Sequence, residues 1–516
     1  MTKTIATQLY LIDALNQVIS DPGSRFHWRA LLNRLLSCHD SELHQYAYER
    51  IEAEVVSEGM GGFHRAIFLA HVFSVDRAIE EAARILADLR PVHVDRIMAF
   101  INTEWATRLT KGSDNISLEQ HFKNIKIESL LQLVAQQIKI SHLTSRNRRN
   151  ELNRVAIYSP QINDRNHPPT SLALQHVKVM QEKGLEVKIF SAQELQIQQS
   201  REYLSNDAHV HNAAFDEGLL EEMKFFKPIE VVKATEDFSL ALRYQDIANQ
   251  ISQYEPDILF FVGNHSPLLA ALYEHMPILT LNVNSHAPLG NYDIWLSAKK
   301  AEELNSDIDR SRSAYYPFRV FRQATARDLS YFASEKRNNE LTLITVGARL
   351  PDEIKSDWVG RIRPLFDEFP QLKWKLIGGK GELPQALKGF DANRIEIIKH
   401  SEDIFTQLDT ADIYINPPRV GGGFSVAEAM SVGVPCLAYC NTDGGSKLLE
   451  YAVRDSDHFV TELRNLINSS EYRQKWSIAM IEIFDKTINL ENAGESWMKA
   501  AHAALSRFAI RCVEQH

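Results

Sequence analysis

Residues 416–439, NPPRVGGGFSVAEAMSVGVPCLAY, constrain this chain more than any other stretch. A strand ends at Asn416-Pro417. Gly421, Gly422 and Gly423 then open a helix that closes at Gly433, and residues 434–439 read as the next strand. A Gly-rich turn at a helix N-terminus leaves backbone N–H groups pointing outward. With the positive end of the helix dipole they form an anion site suited to a diphosphate. Glu428 lies about one and a half turns further, where a carboxylate can take the two hydroxyls of a ribose.

The rest of the chain repeats this alternation. From Arg154 onward, short apolar strands are predicted at 155–158, 187–190, 258–262 and 278–283, with helices after Thr170 or Ser171 and at 240–254 and 267–275. Residues 191–239 fit less clearly and are read as an insertion. A second series begins after a charged stretch at 335–340. Its strands are 341–346, 372–377, 395–399 and 413–415; its helices are 357–369 and 402–408; the tail from Glu462 returns to helix. Residues 1–145 read as all-helical. Trp28, Leu31, Leu32, Leu35 and Leu36 follow helical spacing, as do Ile67, Phe68, His71, Val72 and Val75, and Ser117 with Gln120 resembles a capping box. A chain of 516 residues exceeds one core. The expected organisation is an all-helical accessory or acceptor domain (1–150), then two doubly wound, Rossmann-like α/β domains (151–335 and 336–516) facing a cleft. Ligands bind such sheets at the carboxyl ends of their strands.

Several residues are placed at those strand ends. Arg349 and Lys355 can neutralise a diphosphate. Gly421, Gly422, Gly423, Phe424 and Ser425 form the turn that would hold it, and Asn416, Lys380 in a GGKG turn and His400 would line the cleft. On the facing domain Asn264 and His265 follow one strand. His286 follows the next, where it can exchange a proton with an acceptor or a sugar; Arg165 and His167 carry less weight. Asp307-Ile308-Asp309 has the spacing of a metal-binding pair but reads as solvated loop. No metal and no cofactor are expected, because cations and a helix N-terminus can do the electrostatic work. The site is that of a nucleotide sugar, and a glycosyltransferase is the class it implies.

Composition narrows the partners. Fifty-seven basic against 67 acidic residues give a net charge of −10, which gives no support for a nucleic-acid partner. Four cysteines include Cys436 and Cys440, for which no second pair completes a zinc site; both are expected in the core. No apolar run reaches signal-peptide or transmembrane length, so a cytoplasmic protein is expected.

The last domain resembles the donor-binding half of GT-B glycosyltransferases, especially the retaining family 4. The likeness rests on VGARL (346–350), the GGKG turn, the 409–412 helix end, NPP, GGGFSVAEAMSVGVP and Asp443-Gly444-Gly445. That family has two glutamates eight positions apart. The second matches Glu428; the first, associated with the donor sugar, falls at Val420. The middle stretch, residues 256–296, is similar to cytoplasmic bacterial N-glycosyltransferases that modify adhesins, relatives of the O-GlcNAc transferases. That resemblance implies an active-site histidine at His286, a phosphate contact near Arg349, a UDP-linked donor and a surface protein as acceptor. Two alternatives stay open: a family-4-type enzyme acting on a lipid-linked or polysaccharide acceptor, and an inactive GT-B adaptor for an exported glycoprotein. A homo-oligomer is compatible with either.

Overall fold

A computed structural model describes residues 2–110, 115–140, 151–164, 167–195, 197, 215–283, 287–304, 309–327, 340–401, 403–419 and 421–514. Two parallel sheets follow a helical region. The first has strands β1 (Arg154–Tyr158), β2 (Glu186–Ser191), β3 (Glu230–Lys233), β4 (Ile258–Val262), β5 (Ile278–Leu281), β6 (Ile294–Ser297) and β7 (Ser313–Tyr315), in the order 3-2-1-4-5-6-7. The second has β8 (Leu341–Gly347), β9 (Leu372–Gly378), β10 (Ile395–Ile398), β11 (Ile413–Ile415) and β12 (Cys436–Leu437), in the order 10-9-8-11-12. Both are doubly wound, and the architecture is GT-B.

Period-two alternation explains how the first sheet is covered. β4 is buried along its whole length, as a parallel strand between two helical layers must be. Ile258, Phe260 and Val262 join one core; Leu259 and Phe261 join another. Val155 and Ile157 of β1 go with the first set, Ala156 and Tyr158 with the second. The second core is completed by the helical region: Phe63, Ile97, Met98, Phe100 and Leu131 pack there. The first core is completed by the far end of the chain. Trp497, Ala501 and Ala504 of the Gly494–Glu514 helix share this core with Val155, Ile157 and Phe260, and the Trp497 ring meets that of Phe260 edge-on. The N-terminal helices and the C-terminal helix are therefore two faces of one sandwich.

Several local expectations change. The helix expected after Thr170 or Ser171 begins earlier, at Pro168, because proline suits the first helical turn. Thr170 sits inside that helix; its Oγ1 accepts from Asn163 N and lies 2.8 Å from His167 Nδ1. Ser117 falls within the Asn115–Asn124 helix rather than capping one. Residues 434–439 yield a strand of only Cys436–Leu437. The chain leaves the sheet there, so Cys436 is buried as expected but Cys440 is exposed. The stretch read as an insertion contributes β3. Among the described residues no helix is long and apolar enough to cross a membrane.

Candidate functional site

β11 delivers Asn416 to the carboxyl end of the second sheet, and the Gly423–Ser431 helix starts seven residues later. Gly421 and Gly422 have φ of +102° and +74°, a backbone region where a side chain is strained. Space is the second constraint. A Cβ on Gly422 would stand 2.5 Å from Arg419 Nη2. Arg419 lies buried beneath the turn, with a hydrogen bond from each of its three nitrogens. Nε donates to Asn416 Oδ1 (3.0 Å), Nη1 to Glu353 Oε2 (2.7 Å) and Nη2 to Val346 O (2.7 Å). The turn thus rests on a guanidinium tied to the ends of β8 and β11.

Glu353 is shared. Its Oε1 takes Arg349 Nε at 3.0 Å and Nη2 at 2.9 Å, and Arg349 remains partly exposed beside Gly421. Burial alone would raise the Glu353 pKa; Arg419 and Arg349 hold it below the usual carboxylate value. Lys355, by contrast, is exposed at the start of the Ser356–Glu368 helix. On the other side of the turn Asp443 is buried, and its Oδ2 accepts Gly421 N at 2.9 Å. The Gly421 amide is thereby already engaged. The remaining donors are in the helix's first turn, where Phe424 and Ser425 N–H groups have no backbone partner among the described residues.

Asp443 also fixes a lysine that the sequence reading passed over. Lys447 Nζ donates to Asp443 O at 2.8 Å, and a Cβ on Gly423 would stand 2.6 Å from that nitrogen. Burial lowers the Lys447 pKa to about 8, with Asp443 raising it and Arg319 lowering it. Arg319 is itself buried and donates to the carbonyls of Tyr316 and Phe318. Its pKa falls to about 10 through burial. Arg319, Glu353, Arg419, Asp443 and Lys447 carried no recognisable spacing in sequence. Only Asp443, in the DGG motif, gave a signal.

Glu428 lies partly buried in the same helix. Burial pushes its pKa up to about 7, and its carboxylate makes no hydrogen bond among the described residues. Ser425 turns back toward the sheet: Tyr414 OH donates to its Oγ at 2.8 Å, and that Oγ donates to Gly422 O at 3.1 Å. Phe424 packs against the cores of both sheets, which puts the turn where the two domains meet.

The other candidates are spread out. His400 is exposed in the loop after β10. Lys380 is in a short 3-10 turn, and its side chain lies outside the described residues. Asn264 accepts from Asn282 Nδ2 at 3.0 Å and contacts His265. His265 is buried; its Nε2 is 3.3 Å from Asn102 Oδ1 and its ring meets the edge of Trp105, so it joins the sheet to the helical region. His286, Arg165, Asp307 and Val420 lie outside the described residues. His167 is buried against Thr170, and Asp309 caps a short 3-10 turn. Below the rim of the first sheet, Glu194 is buried and accepts from Tyr158 OH and from Ser266 Oγ (2.6 Å). Burial raises its pKa to about 7.

Residues 340–469 match the family model of glycosyl transferases group 1. Over its full length the chain is similar in structure to a mutant of the Thermobaculum terrenum O-GlcNAc transferase, with a TM-score of 0.57, 12% identity and 100% of both chains covered. It is also similar to TarM, with a TM-score of 0.51, 8% identity, 68% of this chain and 99% of that one. No curated protein sequence matches it significantly. The molecule has the GT-B architecture, with a helical domain ahead of the two α/β domains. Its second α/β domain is of the group 1 type, and sugar transfer is the activity this match supports.

Proposed function

We propose that the chain transfers a sugar from a UDP-linked donor to a protein acceptor, without a metal ion. The observation that carries this reading is the pairing of two features on one nine-residue helix, Gly423–Ser431. Its first turn offers unpaired N–H groups, and Glu428 offers an unpaired carboxylate one and a half turns away. A nucleoside diphosphate presents the complementary pair, an anion and a diol. The N–H groups of Phe424 and Ser425 take the diphosphate, Arg349 and Lys355 balance its charge, and Glu428 takes the ribose hydroxyls. The second α/β domain's match to group 1 glycosyl transferases supports the same assignment.

In the transfer step the acceptor nucleophile bonds to the anomeric carbon. The bond from that carbon to the phosphate oxygen breaks, and its electron pair leaves on the diphosphate. The acceptor proton passes to a base, the role assigned to His286. Cations fixed before the reaction stabilise the leaving charge without reorganising. The whole-chain likeness to an O-GlcNAc transferase, helical domain included, favours a protein acceptor over a lipid-linked one. A thermal-shift series with UDP, GDP and their sugars tests the donor. UDP is expected to raise the midpoint of the wild type and to leave that of Glu428→Ala nearly unmoved.

A further inference from the structure

Lys447 has three N–H donors as an ammonium and one acceptor, Asp443 O at 2.8 Å. It forms no ion pair among the described residues. It stands at the mouth of the Gly423–Ser431 helix, close enough to Gly423 that any side chain there would meet it. Its neighbours make the placement informative. Arg319 repels it, and the two cations share the pull of one carboxylate, Asp443. The Asp443 carboxylate is turned to Gly421 N, while Glu353 serves Arg419 and Arg349. Two neighbouring cations that share one carboxylate, itself engaged by Gly421 N, with one of them beside a helix N-terminus, are better compensated when a further anion joins them.

We infer that Lys447 is a direct ligand of the donor's diphosphate, on the side of the turn opposite Arg349. This rests on the donor-site reading above. Asp443 sets the geometry: its carboxylate orients the turn and its carbonyl orients the lysine, so one residue fixes both sides of the subsite. Partial burial then gives binding a pH dependence. The free ammonium begins to lose its proton near pH 8, whereas a bound diphosphate holds the proton on. Affinity for the diphosphate therefore falls as pH rises above about 8. The charged groups that act on Lys447 are Asp443 and Arg319; elsewhere around the turn stand Arg349, Arg419, Glu353 and Glu428. Of these, Glu428 changes charge near pH 7, below the window in question.

The test is calorimetric titration of UDP into wild type, Lys447→Gln and Lys447→Arg between pH 7.5 and 9, with thermal unfolding as the check on folding. Wild type is expected to bind UDP and to weaken across this range. Lys447→Gln is expected to bind roughly 10- to 100-fold more weakly at pH 7.5, the worth of one hydrogen bond to a charged group, and to lose the pH dependence. Lys447→Arg is expected to recover most of the affinity and keep it at pH 9. Binding by Lys447→Gln equal to wild type, with the same pH profile, overturns the role of Lys447 alone. No binding of UDP by folded wild type overturns the donor-site reading itself.

Discussion

Glu353 Oε2 and Arg419 Nη1 meet at 2.7 Å with both side chains 2% exposed, directly beneath the Gly421–Gly422 turn. A buried pair of this kind contributes little net stability against an apolar replacement, but losing one partner strands the other charge. Glu353→Ala is expected to destabilise the second α/β domain by about 3–5 kcal/mol, read by urea unfolding. The Glu353 pKa lies below the ordinary value of 4.5. Its contribution is thus fully present above pH 4.5 and is lost as pH falls through the lowered value. The difference between wild type and Glu353→Ala should shrink correspondingly in acid.

Arg349 and Lys355 should separate in their effects. Arg349 is held by Glu353 against the turn, while Lys355 is exposed and carries no such tether. Fixing a side chain in advance reduces the entropy lost on binding. Arg349→Ala is expected to weaken UDP binding by roughly 10- to 100-fold, and Lys355→Ala by less than about 5-fold, the effect of one exposed charge. Calorimetry on the two variants checks the order.

Glu428 predicts opposite pH trends for stability and for binding. Burial raises its pKa from 4.5 to about 7. The ionised form is the costly one, so the ligand-free fold is penalised increasingly as pH rises from 4.5 through 7. Glu428→Gln should therefore melt above wild type at pH 8, with the gap closed at pH 5. UDP affinity of wild type should move the other way and rise with pH through 7, because a carboxylate accepts the ribose hydroxyls best when ionised. Differential scanning calorimetry with and without UDP reads both.

Trp497 tests how the chain's end supports the first α/β domain. It meets the Phe260 ring edge-on, shares the core with Val155 and Ile157, and is fully buried. Trp497→Ala is expected to cost about 3–5 kcal/mol. The loss should appear in the unfolding of the first sheet, although the residue lies far along the chain from it.

The sequence displayed the parts of this molecule whose cause is local. β4 was readable as ILFFV because a strand buried on both faces is continuously apolar, and the 421–423 turn because glycines mark it. β6 and β7 were not, since strands of four and three residues near a sheet edge carry too little pattern. Arg419 looked like one more charge in a loop. Its burial depends on Glu353, 66 positions away, and no spacing rule connects the two. Lys447 was hidden in the same way, because only the tertiary fold carries it to Gly423. Glu428 stands out in the sequence for the opposite reason: it is the single carboxylate in the otherwise apolar FSVAEAM.

Donor turnover tests the central claim most directly. Purified wild type would be incubated with UDP-linked sugars, without added metal and with a chelator present, and release of UDP measured alongside Glu428→Ala and Arg349→Ala. At least one UDP-sugar is expected to be consumed by wild type, with Arg349→Ala slowed by about 100-fold or more, the scale of losing one group that stabilises developing charge, and Glu428→Ala slowed by roughly 10- to 100-fold through the lost ribose hydrogen bonds. Consumption of no nucleotide sugar by folded wild type, or equal rates in all three proteins, would contradict the assignment of the Gly421–Glu428 stretch as the donor site.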